Sequence, residues 1–151
     1  MNNDHNISKA KQLCYRYLSI KPRSEFEIRS KLSEKGFEKD CIDSTIENLK
    51  NYRYINDEDY TRIHVHYLAN VKLYGRHHIV HTLKTKGIAK ELVTPYLNNI
   101  DETTHIKTLI EKKFKNWHPP YSYQDRQKIG GFLSRRGFDW DLIKDFFNEN
   151  K

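Results

Sequence analysis

The sequence predicts an all-α chain of three tandem three-helix repeats forming an elongated, curved array, and two observations carry that prediction. One phrase is written three times: Leu32-Ser33-Glu34-Lys35-Gly36-Phe37, Leu83-Lys84-Thr85-Lys86-Gly87-Ile88 and Leu133-Ser134-Arg135-Arg136-Gly137-Phe138, with glycines 51 and 50 residues apart. A fixed period of this size marks a tandem array. No stretch sustains two-residue alternation, and hairpin dipeptides are absent, which removes strands.

Each repeat opens with a helical stretch, expected over residues 9–19, 57–72 and 101–115. The second begins on Asp57-Glu58-Asp59, acids suited to the positive end of a helix, and carries Tyr60, Ile63, Tyr67, Leu68 and Val71 on one side. The third carries Ile106, Leu109, Ile110 and Phe114. The helix bearing the phrase follows. Ser24-x-x-Glu27 forms a capping box at its start, Ser122-x-x-Asp125 a similar one, and Gly75 a weaker cap in the middle copy. Ile28, Ile79 and Ile129 stand four residues before the phrase leucine, one apolar stripe of a helix. Gly36, Gly87 and Gly137 then end the helix in the left-handed conformation, with Lys35, Lys86 and Arg136 on the negative end of its dipole.

A third helix returns in each repeat. Phe37, Ile88 and Phe138 are each followed five residues later by Ile42, Val93 or Ile143, the spacing of a hydrophobic staple, and Ile46, Leu97 and Phe147 continue the buried face. Two places resist this scheme. Pro95 falls inside the third helix of the middle repeat, read as a kink or a late helix start, and Asn116-Trp117-His118-Pro119-Pro120-Tyr121 reads as an extended loop and joint. The organisation expected is a flexible 1–8, then repeats at 9–56, 57–100 and 101–151.

Composition narrows the function. Ten tyrosines and seven phenylalanines supply bulky core material, while a mean hydropathy of −0.91 requires a very polar surface. No segment reaches the length of a membrane span and Met1–Ser8 lacks the apolar run of a signal peptide, so a cytoplasmic site of work is expected. Cys14 and Cys41 are too few and too far apart for a zinc knuckle or a redox pair, and read as small core residues in a reducing compartment. The net charge of +7 divides evenly, +3, +2 and +2 over the three repeats. An even positive excess suits attraction to a polyanion or a nucleoprotein fibre, and equally a solvated basic surface.

Catalysis finds no residues to stand on. There is no G-x-S-x-G, P-loop or dinucleotide fingerprint. Five of the eight histidines (His64, His66, His77, His78, His81) fall in the middle repeat, and His77 and His81 have the i, i+4 spacing of shared metal ligands. The Glu of H-E-x-x-H is missing and no pattern supplies a third ligand, so an exposed or partner-facing cluster is favoured, with neither metal nor cofactor. Basic and aromatic residues interleave at Lys72-Leu73-Tyr74-Gly75-Arg76 and Lys112-Lys113-Phe114-Lys115-Asn116-Trp117, as in surfaces that hold phosphates and stack bases, although Phe114 reads as core and Trp117 as a pin for the loop. The residues placed on a broken basic line are Arg23, Arg29, Lys31, Lys72, Arg76, Lys84, Lys112, Lys113, Arg135 and Arg136. Pairing of Arg29 and Lys31 with Glu25, Glu27 or Glu34 is the competing reading.

Arg23-Ser24-Glu25-Phe26-Glu27-Ile28-Arg29-Ser30-Lys31-Leu32, then Lys35-Gly36-Phe37, Leu49, Tyr54-Ile55-Asn56-Asp57-Glu58-Asp59-Tyr60, Gly75 and Leu83-x-x-Lys86-Gly87-Ile88 resemble, in order and spacing, the RecX family of bacterial recombinase regulators. Pro119-Pro120 and Arg135-Arg136-Gly137-Phe138 with Ile143 resemble its C-terminal unit, so the likeness covers about residues 10–148. Arg53 stands where the family usually has a glycine, and Tyr74-Gly75-Arg76-His77-His78 where members are often richer in arginine. The resemblance implies an all-helical ribbon that binds the RecA filament on single-stranded DNA and restrains its growth, ATP turnover and strand exchange; a monomer that is not an enzyme is expected. A stand-alone helical nucleic-acid-binding module is the alternative.

Overall fold

The computed structural model describes residues 2–151. Among them are nine α-helices: α1 (Asn2–Ile20), α2 (Glu25–Glu34), α3 (Lys39–Asn51), α4 (Asp57–His66), α5 (Arg76–Lys84), α6 (Lys90–Leu97), α7 (Glu102–Lys113), α8 (Tyr123–Arg135) and α9 (Trp140–Glu149). No strand occurs among the described residues.

The triple phrase is a Schellman turn used three times. After α2, Gly36 N–H donates to Ser33 O and Phe37 N–H to Leu32 O. The same pair recurs as Gly87 to Lys84 with Ile88 to Leu83, and as Gly137 to Ser134 with Phe138 to Leu133. The glycine φ values, +91°, +77° and +98°, are those the motif needs. Each turn then hands the chain to the stapled helix, whose anchors Ile42, Val93 and Ile143 are all buried. A fourth turn of the same type ends α3, with Arg53 N–H on Lys50 O and Tyr54 N–H on Leu49 O. There the left-handed residue is Arg53 itself, at φ +60°.

Three expectations are corrected. Residues 2–8, read as a flexible lead-in, continue α1 as helix; the segment has no Gly or Pro to stop it, and its polar residues hid it from a reading based on apolar spacing. The stretch 57–72 is α-helical only to His66, then widens into a π-helical turn, Tyr67–Val71, closed by Lys72 N–H on Tyr67 O. α6 starts at Lys90, so Pro95 does not mark a late start. Its missing N–H leaves the carbonyl of Glu91 without an intrahelical donor, and Glu91 is exposed, where water can serve.

The chain forms two compact units. One takes the chain up to Arg62 together with Leu83–Leu92, the other Ile63–Thr82 and Val93–Lys151. In the first, α1 and α2 pack on α3 around Ala10, Cys14, Ile28, Leu32, Ile42, Ile46 and Leu49. Both cysteines are buried and free, and burial pushes the Cys14 thiol up to about 11. In the second, α7 and α8 pack on α9 around Ile106, Leu109, Ile129, Leu133, Phe138 and Ile143. Phe114 at the end of α7 and Trp117 in the 116–121 loop, their ring centroids 4.7 Å apart, pack against this core.

Candidate partner-binding surface

Two seams, one inside each compact unit, join the start of a phrase helix to the glycine turn of the following repeat. In the first unit Ser24 caps α2: its Oγ accepts from Glu27 N–H at 3.2 Å and donates to Lys86 O at 2.7 Å, while Glu27 reaches back to Ser24 N–H. Glu25 N–H, at the first position of α2, donates to Asp57 Oδ1 at 2.9 Å. In the second unit Gly75 N–H donates to Arg136 O at 2.9 Å and His77 N–H to Gly137 O at 3.0 Å. Arg76 N–H, at the first position of α5, leans on Glu102 Oε2 at 3.3 Å. In both, free amides of a helix start meet free carbonyls of a helix end and the first acid of the next repeat's opening helix.

This wiring decides which cations stay available. Arg29 is held by Glu25 at 2.9 Å and Asp43 at 2.6 Å, the competing reading of the sequence with a further partner from α3. Arg76 pairs through Nε with the buried Glu102 at 2.9 Å. Arg136 lies 4.3 Å over the Tyr74 ring and donates to Leu73 O at 3.1 Å and to Lys72 O, so it caps the irregular segment behind the π-helical turn. These three arginines are tied into the fold.

The other basic candidates present more of their charge. Lys31 Nζ sits 4.9 Å from the Tyr17 ring centroid and Lys72 Nζ 5.9 Å from that of Tyr67. Lys84, Lys112, Lys113 and Arg135 are exposed, Lys113 with its Nζ 5.8 Å from the Phe132 centroid. Arg23 is half-buried, 5.7 Å from the Tyr17 ring, and its Nε is shut from solvent with no hydrogen-bond acceptor among the described residues. Arg23, Lys31 and Lys86 come together around a groove of about 260 Å³ that also takes in Tyr17 and Phe26.

The electrostatics of the seams differ. Burial opposes ionisation of Glu27, yet the Ser24 N–H, the Tyr60 hydroxyl and the Lys86 and Arg23 charges outweigh it and hold the carboxyl below its ordinary value. Burial similarly resists ionisation of Glu25, and Arg29 and Lys50 overcome it. Asp57 goes the other way, raised by burial and by its neighbour Glu25. In the second seam His78, stacked on Tyr74 at 3.9 Å, is held below the usual histidine range by burial first and the Arg136 charge second.

The middle-repeat histidines do not assemble. His66 meets Asn70, His77 lies 3.9 Å from Asp139, and His78 is on Tyr74. Among the described residues no group of three or more His, Cys, Asp or Glu side chains is placed to hold a metal, and no helix is long and apolar enough to cross a membrane. Sequence reasoning passed over the exposed rings, having counted aromatics as core. Phe26 is 51% exposed, Tyr52 71% and Tyr54 52%, the last 5.0 Å from Tyr15. The signal available was their position beside Glu25, Glu27 and Arg53, off the apolar stripes.

Comparison with known proteins places the chain among close likenesses. The family profile described as RecX, first three-helix domain, matches residues 10–49, and RecX, third three-helix domain, matches residues 101–147. Regulatory protein RecX of Finegoldia magna is 33% identical over 147 residues, covering 92% of this chain and 72% of that protein. Regulatory protein RecX of Clostridium perfringens is 35% identical over 138 residues, 88% of this chain and 64% of that one. The chain thus spans between 64% and 72% of the length of these two relatives. Among solved structures, RecX from Lactobacillus salivarius superposes with a TM-score of 0.83 at 25% identity and covers 97% of both chains. A further crystal structure of a regulatory protein RecX, at 23% identity, has the same TM-score and shares the fold.

Proposed function

The chain belongs to the RecX family of regulatory proteins, and from that premise we propose that it binds the RecA filament formed on single-stranded DNA and restrains its extension, ATP turnover and strand exchange. The observation that carries this reading is a family likeness running through 92% of the chain. Physical features support it. Repeats bounded at 9–56, 57–100 and 101–151 would each meet a successive protomer of a regular fibre, and linked contacts gain avidity although each is weak. Cations spread over all three repeats favour encounter with a nucleoprotein.

The contact residues we favour are the exposed Lys72, Lys84, Lys112, Lys113 and Arg135, with the half-buried Arg23 and Lys31 at the groove. Arg29, Arg76 and Arg136 serve by holding the repeats that present them. Such a regulator would act in the cytoplasm as a monomer, without catalysis of its own. The test is RecA ATP hydrolysis on single-stranded DNA titrated with the protein. Turnover should fall in a dose-dependent way, and undiminished turnover at saturating protein would sink the proposal.

A further inference from the structure

The groove in the first compact unit has the makings of a ligand site, and its occupant can be argued from its walls. Its three cations, Arg23, Lys31 and Lys86, outnumber its two acids, Glu27 and Glu34. Glu27, one of the two, already accepts from Ser24 N–H and the Tyr60 hydroxyl and lies 3.7 Å from Lys86 Nζ. Arg23 Nε, in contrast, is a buried donor with no acceptor among the described residues, and Lys31 rests on the Tyr17 ring. Phe26 stands beside them at the second position of α2. Its Cβ lies against the backbone of Gly87 and the ring remains half open to solvent.

We propose that this groove takes a phosphodiester of single-stranded DNA, with Arg23 and Lys31 on the phosphate and the adjoining base against the open part of the Phe26 ring. Cations fix the backbone and a ring accepts any base, the combination used by proteins that hold single strands without reading sequence. An acidic segment of a protein would share the cations but would leave the open Phe26 ring idle. The inference deepens the filament-binding reading, since the strand concerned is the one the filament covers.

The experiment is a fluorescence-anisotropy titration of the whole chain against a labelled oligothymidylate, without recombinase, over a series of salt concentrations. The variant Arg23→Gln/Lys31→Gln leaves Ser24 and Glu27 in place, and circular dichroism checks its helicity. Its slope of log K against log salt should be shallower by about 1.4, since two cations no longer neutralise phosphate charge and each accounts for about 0.7. The charge-preserving Arg23→Lys/Lys31→Arg should keep the wild-type slope. Phe26→Leu should weaken binding roughly tenfold with little change of slope. Equal slopes and affinities for wild type and the Gln variant overturn the assignment, as does displacement by polyglutamate as effective as that by oligothymidylate. A Gln variant that binds the oligonucleotide normally but no longer slows RecA ATP turnover also overturns it, giving the groove to the protein partner while the filament reading stands.

Discussion

The two seams solve one problem with different chemistry. At the first, a side chain does the joining: Ser24 caps its own helix and donates its hydroxyl proton to Lys86 O. At the second there is no side chain to use, and the main chain of α5 bonds directly to the carbonyls of Arg136 and Gly137. Gly75 looks from sequence like a poor cap. A Cβ there would lie 2.3 Å from the Gly137 carbonyl carbon and 2.4 Å from its oxygen and from Phe138 N, so the residue is small because two backbones cross on it. Close approach replaces the capping hydroxyl.

The glycine turns break this comparison open most sharply. Gly36 has open space around a built Cβ, whereas one on Gly87 would lie 2.2 Å from Phe26 Cβ, and one on Gly137 would lie 2.5 Å from His78 N and Cβ. All three have positive φ. Gly36→Ala should therefore cost about 1 kcal/mol, the conformational penalty alone. Gly87→Ala and Gly137→Ala should each cost about 3 kcal/mol or more, because the opposing atoms are backbone or fixed to it. Gly75→Ala, with no left-handed penalty, should also cost about 3 kcal/mol. Urea unfolding of the four variants decides it, and four equal losses would mean that the turns matter only for φ and that the seams contribute nothing.

Arg76 sharpens the contrast in polar contacts. Both seams place an acid at the first amide of the phrase helix, Asp57 at one and Glu102 at the other, but only Glu102 also meets an arginine from that helix. Its side chain is 8% exposed against 41% for Arg76. Removing the arginine strands a carboxylate in a place water reaches poorly, so Arg76→Ala should cost about 2 kcal/mol by chemical denaturation, reduced from the fully buried case because the arginine is half in solvent. Asp57→Ala, which removes the acid itself, should cost about 1 kcal/mol.

What the sequence made legible was everything local. Turn, staple and cap each involve residues within five or six positions, so Leu32-x-x-x-Gly36-Phe37 and Ser24-x-x-Glu27 declare themselves, and the all-α repeat architecture follows. The seams are not local. Ser24 and Lys86 are 62 positions apart, and no spacing rule joins them. The internal partners of Arg29, Arg76 and Arg136 were hidden for that same reason, since charge on a helix face is visible in sequence while Asp43, Glu102 and the Leu73 carbonyl are supplied from elsewhere. The π-helical turn hid because its residues keep an apolar pattern compatible with an ordinary helix.

The turn after α3 offers a control outside both seams. It has the Schellman hydrogen bonds but carries Arg53 at φ +60°, a conformation that costs an ordinary side chain about 1 kcal/mol. Arg53→Gly should raise stability by about 0.5–1 kcal/mol, since the relief of strain is partly offset by greater freedom of the unfolded chain. A gain here beside losses at Gly87 and Gly137 would separate the conformational demand of the turn from the docking demand of the seam. A loss would show that the Arg53 side chain has a structural contact worth more than the strain.

Acid should distinguish the seams last and most gently. His78 is held below its ordinary value, near 6.5, by burial and by Arg136. The unfolded chain therefore binds its proton first, and stability is lost as pH falls from about 6.5 through the lower folded value. Glu27 is also depressed, but from the carboxylate range, so its contribution persists until pH falls below about 4.5. Between these windows the Gly75–Gly137 seam should weaken while the Ser24–Lys86 seam holds. The check is the change in urea midpoint between pH 7.5 and about 5.5, which should be smaller in His78→Gln than in wild type and unaltered in Glu27→Gln. The variant effects reversed would place the acid-sensitive joint in the first unit. That would leave the neutral ring on Tyr74 as packing with no proton linkage.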